Sequence, residues 1–178
     1  MRNPVESYIL TNTKGEFKIW IPAGNQTFSD VSMDYSSFGD LVYLSICGRL
    51  DDLGLLALGY KLQTTVREEG YLKKTFVSAG SGKAAKVLLV LKDYLPIYCE
   101  YISDKGAVLN RTYYSDYRNF ARIMMPCRIT AVDYGTKKDS TVTRTIYSNV
   151  QVDVDDPAFG FEVPADAKPA KLDLSKRK

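Results

Sequence analysis

Chemistry in this chain would have to come from a short list of side chains. Carboxylates occur as adjacent pairs at Asp51/Asp52, Glu68/Glu69 and Asp155/Asp156. Two carboxylates that share a proton, or that flank a glycosidic bond, could do acid–base work. Neighbours in sequence do not form such a dyad by themselves, because in a strand they point to opposite faces and in a helix they diverge. Distant carboxylates could still meet in space, but nothing in the sequence selects two of them. Cys47, Cys99 and Cys127 are far apart and form no C-x-x-C. Three thiols are too few for an all-thiolate metal site, so they read as buried small hydrophobes. A strand near 107–115 would fall between Cys99 and Cys127, so no disulfide is expected there.

The chain contains no histidine. That excludes Ser-His-Asp and Cys-His nucleophile systems and any histidine-bearing zinc site. Gly80-Ser81-Gly82 followed by Lys83 lacks the G-x-x-x-x-G-K-[ST] spacing of a phosphate-binding loop and a following helix. No catalytic constellation results. The chain reads as a protein that is not an enzyme, with no cofactor and no metal.

The chemistry left is apolar binding. A fatty-acyl chain gains ~0.8 kcal/mol per buried methylene, so about sixteen carbons offer roughly 12 kcal/mol of transfer free energy. Carrying such a chain through water requires an enclosed apolar pocket without reactive groups. The candidate lining residues are Trp20, Leu55, Leu56, Val87, Leu89 and Ile146. The same residues also describe a plain core.

The elements that must position them follow from hydrophobic periodicity. With 178 residues, 45% hydrophobic and 25% charged, the chain is long enough for one domain with a real core. The thirteen tyrosines suit a β-rich protein. Residues 5–28 begin with a hairpin, Val5–Leu10 and Glu16–Ile21, closed by Pro22, which lacks a ladder donor. Residues 23–36 read as a polar loop. Ser36 to Leu58 reads as helical, with a second short helix over Leu50–Leu58 despite Gly54. From Leu62 the chain returns to strands: Tyr71–Ser78, Ala85–Lys92, Ile97–Ile102 and Ala107–Tyr114. Ala85–Lys92 is apolar on both sides and should be central. Asp116–Met125 reads as irregular or a short crossover.

Pro126 to Pro164 organises the rest. From Val142 the alternation is clean, with Val142, Arg144, Ile146, Ser148, Val150, Val152 and Val154 on one face. Such patterning predicts a long antiparallel strand with one buried face. The turn Gly135-Thr136-Lys137-Lys138-Asp139 suits a hairpin tip.

This stretch resembles the end of the LolA-like proteins, which include periplasmic lipoprotein carriers and outer-membrane lipoprotein-sorting proteins. The residues that carry the resemblance are Pro126, Tyr147, Asn149, Val150, Val152, Asp155, Phe159, Phe161, Glu162, Val163 and Pro164. The segments SYILTNTKGEFKIWIP and LPIYCEYISDKGAVLNRTYYSDYRNFARIMMP are similar to earlier strand pairs of the family. The helix and strands that usually precede the first pair are missing, and Ala121 or Arg122 stands where a glycine is common.

The resemblance implies an α+β fold: a single curved antiparallel sheet, a half β-barrel, with a short helical insertion on its concave face. One LolA-like domain would cover 1–164, with a helical lid at about 36–58 and a flexible basic tail at 165–178. It implies a lipid- or lipoprotein-binding domain of the periplasm or outer membrane, working in lipoprotein sorting or envelope maintenance. Its partners would be acyl chains or lipoproteins, with a membrane-protein partner as a further candidate. An RseB-like sensor and a structural envelope lipoprotein without a ligand are the alternatives. The start MRNPVESY has no apolar core region of a signal peptide, so under this reading the chain is a piece lacking its export signal. Residues 1–60 carry a net charge of −3 and residues 61–178 a net +6, too mild and too unclustered for a nucleic-acid footprint. A monomer is expected.

Overall fold

The computed structural model describes residues 8–11, 17–30, 38–78, 80, 84–135, 139–152 and 162–169. In chain order the elements are β1 (Tyr8–Thr11), β2 (Phe17–Ile21), a 3-10 turn (Pro22–Gly24), β3 (Gln26–Asp30) and α1 (Phe38–Ile46). There follow β4 (Tyr60–Glu68), β5 (Tyr71–Ser78), β6 (Lys86–Lys92), β7 (Leu95–Ile102), β8 (Val108–Phe120), β9 (Ile123–Tyr134), β10 (Ser140–Ile146) and β11 (Lys168–Pro169). The chain forms two compact units, residues 1–43 with 153–178, and residues 44–152.

The first unit holds a four-stranded sheet in the order β1-β2-β3-β11. The expected first hairpin forms, with Tyr8 opposite Trp20 and Thr11 opposite Phe17. The polar stretch expected to be a loop contains β3, which pairs with β2 from Phe17↔Asp30 to Ile21↔Gln26. Asn25 makes the turn between them: it adopts a positive φ of 45° and its N–H donates to the Pro22 carbonyl at 3.0 Å. Its carbonyl accepts from the Lys168 N–H at 2.8 Å and its Nδ2 donates to Asp166 Oδ2 at 3.0 Å. These bonds set β11 parallel to β3. The beginning of the expected flexible tail is therefore part of a sheet, because a single asparagine supplies both a turn and a clip.

The second unit is built on a seven-stranded antiparallel sheet whose order, β10-β9-β8-β7-β6-β5-β4, runs strictly through sequence neighbours. The sheet is open: β4 and β10 are its two ends. Tight turns make the meander. Glu69-Gly70, Asp93-Tyr94 and Ala121-Arg122 all have positive φ at both positions, the geometry of two-residue hairpin turns that match strand twist. The last of these overturns the expected irregular stretch at Asp116–Met125. β8 runs on to Phe120, and β9 returns from Ile123, paired from Phe120↔Ile123 to Asn110↔Asp133. Pro126 lies inside β9 rather than at its start. β10 pairs with β9 only from Arg128 onward, so the missing N–H of Pro126 falls where β9 has one ladder partner among the described residues.

Two further expectations are corrected. The second helix over Leu50–Leu58 is a run of turns, because Leu53, Gly54 and Gly59 take φ values of 49°, 73° and 83°, which no right-handed helix contains. β10 ends at Ile146 instead of continuing to Val154, and its side chains are exposed on both faces except for the half-buried Thr145. An end strand has a neighbour on one side only. Here the core lies farther in, over β5–β7, so alternation on β10 does not signal burial. Asp155, Phe159 and Phe161 lie outside the described residues.

Candidate functional site: the inner face of the large sheet

Strand alternation and register decide which side chains meet. On β6, Val87, Leu89 and Leu91 point to one face. Cross-strand pairing aligns them with Phe76, Lys74 and Leu72 of β5, and with Tyr101, Cys99 and Pro96 of β7. A shift in the β6–β7 register near Val90/Leu91 brings Pro96 to the same face. The result is an apolar inner face whose central side chains, Phe76, Val87, Leu89, Leu91 and Cys99, are almost entirely buried.

The segment 47–59 covers this face and inserts Leu55 into it, in one cluster with Tyr60, Phe76, Val87, Leu89, Leu91 and Cys99. Local polar bonds shape the insertion. Asp52 accepts through Oδ1 from the Gly54 N–H at 3.0 Å, which holds the turn that aims Leu55 inward. Leu55 returns the chain to the sheet, since its carbonyl accepts from the Tyr60 N–H at 3.0 Å. Lys74, on the inner face opposite Leu89, reaches out along its aliphatic stem and donates through Nζ to Asp51 O at 2.7 Å and to Asp51 Oδ2 at 3.2 Å. The two carboxylates of this pair are thus divided between shaping the turn and fastening it.

The cluster is electrically quiet. Tyr60 donates its hydroxyl to the Ala84 carbonyl at 3.1 Å. Burial pushes the Cys99 thiol up to about 12 and raises the phenols of Tyr101 and Tyr114 well above their ordinary range, so all three are neutral at physiological pH. Among the described residues there is no group of three or more Cys, Asp or Glu side chains that could hold a metal ion.

Of the candidate lining residues, Leu55, Val87 and Leu89 meet in this cluster. Leu56, the next residue, is 55% exposed, and Ile146 is 67% exposed on β10. Trp20 lies half-buried in the four-stranded sheet, its ring 5.3 Å from that of Tyr8 and its Nε1 donating to Asn25 Oδ1 at 3.1 Å. Leu91, Phe76 and Lys74 belong to this face but are not among the candidate lining residues. Alternation at spacing two puts Leu91 on the face of Val87 and Leu89, which is the signal that adds it to them.

The opposite face of the same strands has a polar centre. Glu100, with a side chain 12% exposed, accepts from Tyr98 Oη at 2.6 Å and from Arg111 Nε at 2.7 Å. Arg111 also donates to Tyr134 Oη at 3.3 Å and lies 5.5 Å from the centre of that ring. Burial raises the Glu100 carboxyl, but the bonds from Tyr98 and Arg111 outweigh it and hold the pKa below the usual range.

No protein-family model and no curated protein sequence matches the chain. Solved structures do. A DUF1329 family protein from Desulfovibrio piger is 16% identical with a TM-score of 0.52, over 88% of this chain and 69% of that one. A putative outer membrane lipoprotein-sorting protein domain from Vibrio parahaemolyticus is 14% identical with a TM-score of 0.50, over 86% of this chain and 68% of that one. At such identities the likeness shows the fold alone. The chain shares the fold of these two structures: mostly sheet, with one large open antiparallel sheet and, among the described residues, one small helix.

Proposed function

We propose that the chain is a non-catalytic lipid- or lipoprotein-binding domain of the periplasm or outer membrane, acting in lipoprotein sorting or envelope maintenance. The observation that supports this most is the inner face: an apolar surface, charged only at Lys74 in its described centre, under a turn-rich segment that sends Leu55 into it and pairs Asp51 with Lys74. In this reading the large sheet curves as a half-barrel, with the inner face concave.

The energetics are suited to exchange. Burying Leu55 contributes about 1.5–3 kcal/mol. The ion pair has an exposed carboxylate and contributes at most about 1 kcal/mol. An acyl chain of about sixteen carbons offers roughly 12 kcal/mol of transfer free energy. An acyl chain can therefore take the place of Leu55 against Val87 and Leu89 when the segment lifts, and Leu56 can turn inward against the chain. A membrane-protein partner would deliver or accept the cargo.

The test is native mass spectrometry of the protein purified from a bacterial host, with lipid extraction of the same sample. Co-purified acyl chains or lipoprotein fragments at about one per chain are the expected result. A protein that purifies empty and takes up no fluorescent acyl probe rejects the reading. It would favour a structural envelope protein with a filled core, a reading supported by the complete burial of Leu55, Val87, Leu89, Leu91 and Cys99.

A further inference from the structure

The two faces of the seven-stranded sheet differ in charge. Side chains that alternate with the core cluster point outward. Up to Ser115 on β8, the registers place seven Lys and Arg side chains on this outer face against two carboxylates, Glu68 and Glu100. Both carboxylates are already paired, with Lys73 and Arg111. Lys61, Lys86, Lys92, Arg128 and Arg144 remain, all exposed and without an ion pair among the described residues. Beyond Ser115, where Asp116 adopts a positive φ, Arg118 and Asp116 pair with each other.

The distribution matters as much as the count. The five cations sit on β4, β6, β9 and β10, so they span the full breadth of the sheet, roughly 30 Å at the usual strand spacing. Exposed branched aliphatic side chains stand beside them at both ends, Val66 on β4 and Val142 and Ile146 on β10. Three of the tyrosines on this face already contact neighbours, while Tyr113 and Tyr134 stay partly exposed. The rings of Tyr98 and Tyr113 tilt against each other at 5.2 Å, and Arg111 covers Tyr134. A single-stranded nucleic acid needs a narrow cationic track and open aromatic faces. On this face the cations are spread from β4 to β10 rather than along a track. A lipid bilayer with anionic headgroups fits it: cations meet phosphates over a wide area while Val and Ile reach the interface and Tyr sits at headgroup level.

We propose that the outer face of the large sheet docks on an anionic membrane surface. The inference goes beyond acyl binding and does not rest on it, because the two use opposite faces of the same strands. Each Lys or Arg near an anionic surface changes partitioning about fivefold.

The experiment is co-sedimentation of the full chain with phosphatidylcholine vesicles and with vesicles containing about 30% phosphatidylglycerol, at low salt and at about 0.1 M salt. Binding to the anionic vesicles only, weakened by salt, is expected. Two double variants, Arg128→Gln with Arg144→Gln and Lys86→Gln with Lys92→Gln, should each bind roughly thirtyfold more weakly. A control of equal charge, Arg49→Gln with Lys105→Gln, removes exposed cations outside this face and should bind as the parent does. Urea midpoints verify that all variants fold. Failure to bind anionic vesicles at low salt overturns the proposal. So does a control that weakens as much as the face variants, or capture of a single-stranded oligonucleotide, sensitive to the same doubles, by a protein that ignores vesicles.

Discussion

If the segment 47–59 is a cover that lifts off a standing sheet, Leu55 and Leu89 must behave differently although both are completely buried in one cluster. Leu55 belongs to the cover, and Leu89 to the central strand β6. Truncating either to Ala should lower global stability by about 2–5 kcal/mol, the usual range for a leucine in a packed core. The local consequences diverge. In a state with the cover lifted, Leu55 is as exposed as in the unfolded chain, so Leu55→Ala destabilises the closed form against both. Taking about 2–3 kcal/mol, the lifted population rises roughly 30- to 150-fold. Leu89 stays within the sheet when the cover lifts, so Leu89→Ala should leave that equilibrium much less changed. The readout is amide hydrogen exchange at Leu58, Gly59 and Tyr60, whose N–H groups donate to carbonyls within the segment, Leu55 O among them. In Leu55→Ala these amides should exchange 30- to 150-fold faster. In Leu89→Ala they should change little, while the β6 amides report the global loss in both. Equal acceleration of the segment amides by the two substitutions would refute the reasoning, because cover and sheet would then unfold as one unit.

Three other outcomes follow from the geometry. Glu100 has a folded-state pKa below its ordinary 4.5, so its carboxylate stabilises the fold above that pH, and the contribution disappears as pH falls through the depressed value; Glu100→Gln should flatten the acid side of a plot of urea midpoint against pH. The Ala121-Arg122 turn holds two non-glycine residues at φ of 47° and 74°, a conformation that costs roughly 1–2 kcal/mol per residue, so Ala121→Asn with Arg122→Gly should raise stability by about 1–2 kcal/mol in urea unfolding, and a lower midpoint would contradict the turn. Cys47 is exposed while Cys99 and Cys127 are buried, so iodoacetamide should modify one thiol in the native protein and three in denaturant, and rapid native labelling of more than one would place Cys99 or Cys127 elsewhere.

What the sequence made legible, and what it hid, divides along physical lines. The central strand β6 was readable because five apolar residues in a row, Val87 to Leu91, leave few alternatives to burial. The strands expected at Ile97–Ile102 and Ala107–Tyr114 leave only a short polar link with a glycine between them, and Gly106 takes a φ of 77° there. The β8–β9 hairpin was hidden because Ala121 and Arg122 carry no turn signature, and the turn is supported instead by a side chain: Asn119 Oδ1 accepts from the Arg122 N–H at 2.8 Å. The cover reads as a helix because Asp51 and Asp52 suit a first turn and Gly59 a C-terminal cap around a leucine-rich run, while its real shape depends on Asp52 and on positive φ at Leu53 and Gly54. Ile146 was misread because periodicity reports that a strand has two faces, not which face the rest of the chain covers.

The same limitation bears on the charge of the outer face. Acidic residues of this unit collect in turns, as Glu69, Asp93 and Asp104 do, and aspartate favours turns for backbone reasons of its own. That preference explains why few acids sit on the strands. It does not explain why lysine, itself disfavoured in strands, occupies outward positions of β4, β5 and β6 where threonine would pair better. Charge placed only for solubility would be served by both signs interspersed, rather than by one sign gathered on one face. A sheet whose two internal ion pairs use up both outward carboxylates, leaving five cations spread from β4 to β10, has a one-signed surface. The comparison of face variants with a control of equal charge separates these causes: net charge alone would make all three double variants alike, and only a surface used as a surface makes the position of each cation count.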